Sequence, residues 1–241
     1  MELVFFETFE GNKLNRDKWR VICGGHGWGN NESQFYVDNE DNIKVEDGRL
    51  RIIALKKRHE HREYTSGKIE TLKAFQYGHF EFVCKVPKGK GSWPAIWMMP
   101  ENKEGGWPYC GEIDIVETIG RHQDVMHFSL HTKKYNHNIG NQRTFYMPVA
   151  GASDRYVTYT MDWTKDYISF GVDNKEVCRF DKNDKRYDEG VESWPFDKKF
   201  YIICNLAVGG YWGGEIDDEA LPMEFDIKSI KVLQNGEENN L

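Results

Sequence analysis

Residues 111–118 read Gly-Glu-Ile-Asp-Ile-Val-Glu-Thr, which places three carboxylates on an otherwise apolar stretch. Successive side chains of a β-strand point to opposite faces, so this stretch predicts one buried face and a second face that carries Glu112 and Asp114. Simple alternation sends Glu117 to the buried face, because its offset of five residues from Glu112 is odd. We therefore predict a one-residue β-bulge near Ile115-Val116, which returns Glu117 to the face of the other two acids.

Further strands are predicted on both sides of this segment, because short apolar runs alternate with Gly and Asn/Asp turn signals. They cover Leu50–Leu55, Gly78–Val86, Trp93–Met99, Glu112–Glu117, Met126–His131, Tyr156–Asp162, Ile168–Val172, Phe200–Val208 and Phe225–Leu233. Helical periodicity is nearly absent, and the sequence contains no internal repeat and no Pro/Ser-rich linker. This pattern predicts an all-β fold, a β-sandwich of the jelly-roll type with two antiparallel sheets, in a single domain over residues 1–241.

The same alternation predicts which side chains share a face. Trp93 and Trp97 stand in one of two apolar rows of their strand, so one row is expected in the core and the row with the two Trp in a cleft. His131 shares a row with the other polar residues of its strand, and Asn205 stands opposite a wholly apolar row.

Composition restricts the class of partner. The formal net charge is −7 and the pI about 5.7, which argues against a nucleic-acid partner because phosphate binding needs clustered Lys and Arg. Aromatic residues make up 14% of the chain and include eight Trp, which suggests that some rings are displayed for a neutral or weakly polar ligand. No apolar run approaches the ~18–20 residues of a membrane span, so no membrane partner is expected.

Three other patterns concern compartment, redox state and metals. Met1–Phe6 lacks the regions of a signal peptide, so we expect a cytoplasmic protein, or an extracellular or cell-surface one whose signal was removed. The five cysteines are odd in number and widely spaced, which favours buried free thiols over a disulfide framework. Neither His59-Glu60-His61 nor the pair His131 and His137 has a third ligand at a suitable spacing, so no catalytic zinc is expected.

The three carboxylates indicate acid–base and nucleophilic chemistry. With the bulge, the Cα atoms of Glu112 and Glu117 are expected about 13 Å apart and their carboxyls roughly 5–6 Å apart, the separation of a retaining glycosidase. Asp114 is expected to hydrogen-bond Glu112, so that Glu112 stays ionised while Glu117 keeps its proton near neutral pH. A solvated acidic strand is the alternative that these residues alone leave open.

A series of ordered motifs resembles glycoside hydrolase family 16, in particular its bulged laminarinase-like branch. The motifs are Gly27-Trp-Gly-Asn-Asn-Glu32, Tyr64-Thr-Ser-Gly-Lys-Ile69, Tyr77-Gly-His-Phe-Glu81, Trp93-Pro-Ala-Ile-Trp97, Glu112-Ile-Asp-Ile-Val-Glu117 and Asn205-Leu-Ala-Val-Gly-Gly210 with Trp212. The resemblance covers most of the chain. It implies a single catalytic domain with a concave substrate cleft, a retaining endo-β-glucanase for β-1,3-containing glucans, with laminarin and mixed-linkage β-1,3-1,4-glucan both open as substrates.

The resemblance also implies roles for single residues. Glu112 would attack the anomeric carbon with the assistance of Asp114, and Glu117 would protonate the departing oxygen and then deprotonate the incoming water. The matched positions expected to bind the sugar chain are Asn31, Glu32, Lys68, Trp93, Trp97, His131, Asn205 and Trp212. Family members usually carry Arg where this chain has Lys68, and because Lys lacks a bidentate fork, contacts there are expected to be weaker or differently placed.

No cofactor is expected to be required for catalysis. Family members often hold a structural Ca²⁺ away from the cleft, and the matching positions are Glu7, the carbonyl of Gly48, and Asp226; a solvated acidic surface is the alternative. We expect a polysaccharide partner and a monomeric protein. Two other functions use the same sandwich: a non-catalytic glucan-binding protein, which the intact carboxylates argue against, and a transglycosylase or galactan hydrolase, for the second of which this acidic chain offers no basic cleft.

Overall fold

The structure is a computed structural model that describes residues 1–236. Its strands are β1 (Glu2–Glu7), β2 (Trp19–Val21), β3 (Gln34–Tyr36), β4 (Ile43–Glu46), β5 (Arg49–Ala54), β6 (Tyr64–Ser66), β7 (Lys68–Phe75), β8 (Gly78–Lys85), β9 (Ser92–Pro100), β10 (Glu112–Glu117), β11 (Val125–His131), β12 (Arg143–Pro148), β13 (Val157–Trp163), β14 (Tyr167–Val172), β15 (Lys175–Asp181), β16 (Phe200–Val208) and β17 (Met223–Gln234). The short helix α1 (Gly210–Gly213) follows β16, and four single turns of 3₁₀-helix lie at Gly120–His122, His137–Ile139, Gly190–Glu192 and Asp218–Ala220.

Most of the strands form two antiparallel sheets. The first has eight strands in the order β15-β14-β13-β8-β17-β5-β4, with β1 also paired to β17. The second has seven, in the order β12-β11-β10-β9-β16-β7-β2. A small parallel pair, β3 and β6, lies outside both. The predicted all-β sandwich of two antiparallel sheets is confirmed.

Each of the nine predicted strands is present, with ends within two residues of the predicted ones. Among those that the sequence did not reveal, β7 is the longest. The row of β7 that faces away from the core begins with Lys68 and Glu70, which are both buried although they are charged. The alternation then breaks where the register with β16 shifts, because Thr71 is buried and Leu72 is exposed, so the usual signal is weak.

The two sheets bury their apolar rows against each other in one continuous core. Phe80, Phe82 and Phe225 from the eight-stranded sheet and Phe128 and Phe200 from the seven-stranded sheet have no exposed surface. Each buried Phe stabilises the fold by roughly 1.5–3 kcal/mol. The packing leaves the opposite side of the seven-stranded sheet free, and we call that side the cleft face.

The rows of β9 and β16 confirm the predicted faces. On β9, Ile96 and Met98 are fully buried in the core, whereas Trp93 and Trp97 are half-buried on the cleft face. On β16, Asn205 pairs with Lys68 of β7 and lies on the cleft face, opposite a row that is entirely in the core.

All five cysteines are free thiols, as predicted. The prediction that they are buried is correct for Cys84, Cys110 and Cys204, whereas Cys23 is exposed and Cys178 is half-buried. No helix within residues 1–236 is both long enough and apolar enough to cross a membrane.

Candidate active site

The predicted bulge in β10 is confirmed by the pairing of its two neighbours. Glu112 pairs with His131 of β11, but the register then shifts, so that Glu117 pairs with His127. The same shift occurs on the β9 side between Asp114 and Val116. Both residues at the bulge, 115 and 116, are fully buried, because the extra residue adds a second apolar side chain to the core side and returns Glu117 to the cleft face.

The three carboxylates lie in a site with little solvent. Asp114 is 3% exposed, and the side chain of Glu112 is 14% exposed. Glu117 Oε1 accepts a hydrogen bond of 2.9 Å from the indole Nε1 of Trp93, while Glu112 is hydrogen-bonded by the indole of Trp107. Each glutamate therefore has an indole donor of its own, which fixes its orientation.

Burial raises the pKa of all three carboxyl groups, to about 8 in each case. For Glu112 and Glu117, repulsion by Asp114 adds to the effect of burial, and the indole hydrogen bonds oppose it. That Glu112 stays ionised while Glu117 holds a proton stays a prediction, because burial raises the pKa of both glutamates alike in the free protein. The cluster as a whole holds protons at neutral pH.

His131 is the neighbour of the carboxylates on β11. Its Nε2 lies 3.1 Å from Asp114 Oδ2 and 3.7 Å from Glu112 Oε1. The expected hydrogen bond from Asp114 to Glu112 is not found within residues 1–236, because Asp114 Oδ2 faces His131 and has no hydrogen-bond partner. The ring of His137, on a 3₁₀ turn, lies 5.2 Å from that of His131 and 4.6 Å from that of Trp107.

A hydrogen-bonded chain connects Trp97 to the loop before β3. Trp97 Nε1 donates to Asn205 Oδ1 at 2.6 Å, and Asn205 Nδ2 donates to the hydroxyl of Tyr36 at 3.1 Å. That hydroxyl donates in turn to Glu32 Oε2 at 3.4 Å, where Gln34 Nε2 also donates at 2.6 Å. Three of the predicted sugar-binding residues, Glu32, Trp97 and Asn205, are thus brought into one network.

Glycines after β16 allow this loop to approach the sheet. Gly210 has a φ of +76°, and a Cβ there would lie 2.8 Å from the carbonyl oxygen of Asn30. Only glycine tolerates both conditions at low cost. Beside Asn30, Asn31 is exposed in the left-handed region with a φ of 54°, so its amide is free of the buried network.

Lys68 lies between two indole rings on the cleft face. Its Nζ is 4.3 Å from the ring centroid of Trp28 and 5.1 Å from that of Trp97, and the residue is 6% exposed. Burial lowers the pKa of this ammonium group, whereas the nearby carboxylates of Glu70 and Glu32 raise it. The two rings stabilise the charge by cation–π attraction, which leaves its N–H groups available to a ligand.

An aromatic group surrounds the Glu117 end of β10. Trp212 lies edge-on to Trp93, with ring centroids 5.2 Å apart, and edge-on to His127 at 5.0 Å. His127 stacks on Tyr146, whose side chain is 64% exposed. Burial lowers the pKa of His127, so the imidazole is neutral beside the acid.

The structure thus places all the predicted catalytic residues and the predicted sugar-binding residues Glu32, Lys68, Trp93, Trp97, His131, Asn205 and Trp212 on the cleft face or its rim. Sequence reasoning missed further residues that contact them, namely Trp28, Gln34, Tyr36, Trp107, His127, His137 and Tyr146. Most of these lie in loops or on short strands, where alternation gives no signal. His127 and Trp28 could have been found, because each lies within a segment that had already been identified.

The predicted calcium ligands were Glu7, the Gly48 carbonyl and Asp226. The Glu7 carboxylate points inward, where Oε1 accepts two backbone hydrogen bonds at 3.0 and 3.1 Å and Oε2 accepts one from Trp19 Nε1 at 3.2 Å. Asp226 lies between two core residues and therefore points outward, with Lys85 Nζ at 3.2 Å and Arg51 Nε at 3.8 Å. These contacts do not fit a site that uses both carboxylates, and calcium stays a prediction.

Comparison with known proteins agrees with this geometry. The model of glycosyl hydrolases family 16 matches residues 28–225. The chain is 40% identical to a beta-glucanase of Rhodothermus marinus over 97% of its own length and 85% of the relative's. It is 38% identical to a glucan endo-1,3-beta-glucosidase of Cryptopygus antarcticus, over 91% and 84% respectively.

The fold agrees as well. The crystal structure of the laminarinase from Rhodothermus marinus superposes with a TM-score of 0.92 at 40% identity, and 96% of each chain is covered. The predicted family and its jelly-roll architecture are therefore confirmed. The bulged carboxylate strand, the indole-lined cleft face and these matches lead to one conclusion: the chain belongs to glycosyl hydrolases family 16.

Proposed function

We propose that the chain hydrolyses β-1,3-containing glucans by a retaining double displacement, with Glu112 as nucleophile and Glu117 as acid/base. That it is an endo-acting β-glucan hydrolase follows from its family and from relatives named beta-glucanase and glucan endo-1,3-beta-glucosidase. The catalytic residues, the activity on both laminarin and mixed-linkage glucan, and the monomeric state are the parts that we propose.

The observation that carries the proposal is the bulge, which sets two glutamates on one face of one strand with Asp114 between them. In a retaining glycosidase, one carboxylate attacks the anomeric carbon while a carboxylic acid protonates the leaving oxygen. Glu112 is assigned as the nucleophile because His131 Nε2 lies 3.7 Å from its Oε1, although the imidazole favours the charged form of both glutamates. Glu117 is assigned as the acid because it lies nearest the aromatic group at the cleft rim.

The raised pKa values suit the acid. A glutamic acid whose pKa is about 8 is protonated at neutral pH and can donate its proton to the leaving glucosyl oxygen. The resulting Glu117 carboxylate then takes a proton from the water that cleaves the covalent intermediate. Asp114 assists by holding its own proton, because a neutral carboxyl beside Glu112 removes the like-charge repulsion that opposes ionisation of the nucleophile.

The two ends of the site bind different parts of the glucan chain. Trp97, Lys68 and Asn205 offer an indole face and donors that suit glucosyl units on the side of Glu112, whereas Trp93 and Trp212 suit units beyond the cleaved bond. Indole faces hold a sugar ring without reading its linkage, so both laminarin and mixed-linkage glucan remain substrates of the proposal. A binding protein without activity is disfavoured, because such a protein has no need of three buried acids, each with a raised pKa.

The first prediction tests the nucleophile. Glu112→Gln should fold normally and lose hydrolysis of laminarin by at least about a thousandfold, because covalent catalysis requires the carboxylate. Released reducing ends measure the rate, and Glu104→Gln, at an exposed position, is the control. In the wild type, proton NMR should show the β-anomer first, and viscosity should fall faster than reducing ends accumulate. Early α-anomer would contradict the double displacement.

The same experiment has a second arm for the acid/base. Glu117→Ala should severely slow the hydrolysis of laminarin but have little effect on the hydrolysis of an aryl glycoside with a good leaving group. Added azide should restore the rate by forming a β-glycosyl azide. Equal losses on both substrates without azide rescue would assign Glu117 another role.

A further inference from the structure

Glu112, Asp114 and His131 have the geometry of three ligands around one metal ion. One oxygen of each acid and the Nε2 of His131 all lie within 4.8 Å of one another, with separations of 3.1 Å from Nε2 to Asp114 Oδ2 and 3.7 Å from Nε2 to Glu112 Oε1. Ligands bound to zinc at about 2.0–2.2 Å in a tetrahedron lie roughly 3.3–3.6 Å apart. The three atoms therefore need little movement to share one ion.

A second observation points to a ligand at the same place. Asp114 is 3% exposed, yet its Oδ2, which lies 3.1 Å from His131 Nε2, has no hydrogen-bond partner. Within residues 1–236, no Lys or Arg forms an ion pair with any of the three acids of β10, and His131 is their sole potential cation. A buried carboxylate oxygen without a partner is costly, and a cation bound between Asp114 Oδ2 and His131 Nε2 relieves that cost while it displaces the protons that the acids hold.

The ligand set selects the class of cation. One imidazole nitrogen and two carboxylate oxygens suit borderline transition metals such as Zn²⁺, which take three protein ligands and keep a fourth position for water. Ca²⁺ takes six to eight oxygen ligands and Mg²⁺ a near-ideal octahedron, so neither fits these three groups. The sequence did not predict these three residues as metal ligands, because they come from two strands and are brought together only through the register of β10 and β11.

We propose that Glu112, Asp114 and His131 form a site for Zn²⁺ or a similar transition-metal ion, which inhibits the enzyme reversibly by occupying the nucleophile. The metal uses the lone pair of Glu112 that must attack the anomeric carbon, so metal and glucan exclude each other. Only the inhibition part of this inference rests on the proposed role of Glu112 as the nucleophile. Binding itself follows from the three ligands.

Calorimetric titration of the metal-free wild type with Zn²⁺ should show one site per chain, and Co²⁺ should give the visible absorption of a tetrahedral ion. Zn²⁺ should inhibit laminarin hydrolysis, EDTA should reverse the inhibition, and the apparent inhibition constant should rise with laminarin concentration. Ca²⁺ and Mg²⁺ should neither bind at this site nor inhibit laminarin hydrolysis. Asp114→Asn and His131→Gln should each weaken zinc binding by at least about tenfold, since even loss of an outer-shell partner costs 10–100-fold.

The matched control is His79→Gln, which removes another His–carboxylate pair, with His79 Nδ1 2.7 Å from Asp162 Oδ1 on the eight-stranded sheet. This variant should bind zinc as the wild type does. Circular dichroism checks the fold of each variant, and Glu112→Gln provides a third ligand variant should His131→Gln fail to fold. Absence of one-to-one zinc binding by the folded wild type, or binding that survives the ligand variants, would overturn the site, whereas binding without inhibition would overturn only the role of Glu112.

Discussion

Lys68 contacts the indoles of Trp28 and Trp97, and within residues 1–236 its ammonium forms no ion pair or hydrogen bond. The residue is 6% exposed, and its charge is the part that a sugar hydroxyl can use. A hydrogen bond to a charged group contributes about 1.5–3 kcal/mol, which corresponds to a factor of roughly 10–100. Lys68 is therefore expected to contribute chiefly through its charge.

The second prediction follows from this. Lys68→Met keeps an unbranched apolar side chain between the indoles, so the fold should persist while kcat/KM for laminarin falls about 10- to 100-fold. Steady-state kinetics measure the loss, and Lys88→Met, which removes an exposed ion pair with Asp154, is the control. An unchanged kcat/KM for Lys68→Met would show that the ammonium does not contact the substrate.

The third prediction concerns Asp114 and pH. Its pKa is about 8 in the fold and ordinarily 3.8, so between these values the folded state binds more protons than the unfolded state, and stability falls as the pH rises. Asp114→Asn removes this pH-dependent loss of stability, because Asn does not titrate. The variant should match the wild type near pH 4 and exceed it in unfolding free energy by about 1–2 kcal/mol near pH 8.

Thermal or urea unfolding across this pH range provides the measurement. Asp173→Asn is the control of opposite sign, because the hydrogen bond from Arg155 lowers the pKa of Asp173 and its loss should not stabilise the fold at any pH. A gain for Asp114→Asn that is equal at pH 4 and pH 8 would contradict the electrostatic cause.

At the scale of single elements, β10 shows how far a sequence pattern reaches. The odd offset between Glu112 and Glu117, together with two adjacent apolar residues, was enough to predict the bulge, because the period of a strand is fixed at two. The charge states could not be predicted in the same way, since burial of the whole cluster sets them. Trp107 and His137 could not be found either, because they reach the site from loops whose course depends on distant contacts.

The fourth prediction tests the bulge. Deleting Ile115 makes the offset between the two glutamates four, so a regular strand would keep both on the cleft face at the same ~13 Å Cα separation. The variant should lose about 2–5 kcal/mol of stability through the missing side chain yet retain measurable activity.

Inserting one Ala between Ile115 and Val116 is the matched variant. The offset becomes six, so a regular strand would separate the glutamates by about 20 Å, and a retained bulge would turn one of them into the core. Activity and melting temperature are measured for both variants. An inactive but folded deletion variant, or an active insertion variant, would contradict the argument that the offset between the two glutamates decides their face and separation.

At the scale of the whole molecule, calcium remains open to a direct test. If Glu7, Gly48 and Asp226 bind Ca²⁺, millimolar calcium should raise the melting temperature of the chelated protein. The free energy of unfolding should increase by about 2.7 kcal/mol at a hundredfold excess of calcium over Kd. The ion pairs of Asp226 with Lys85 and Arg51 argue for a smaller effect or none. Differential scanning calorimetry with and without calcium decides this fifth prediction, and a shift that survives Asp226→Ala would exclude the predicted ligands.

The pairing of β1 with β17 has one more consequence. Glu2 lies opposite Gln234, so the first and last strands within residues 1–236 are neighbours, and the order in which the strands are synthesised is separable from the shape that they form. A variant in which a linker connects β17 to β1, and which is opened at the tight Asp173-Asn174 turn between β14 and β15, would keep every cross-strand partner within the two sheets. Its nascent order would run from β15 through β17 and β1 to β14, and the catalytic strand would emerge from the ribosome in the second half of translation.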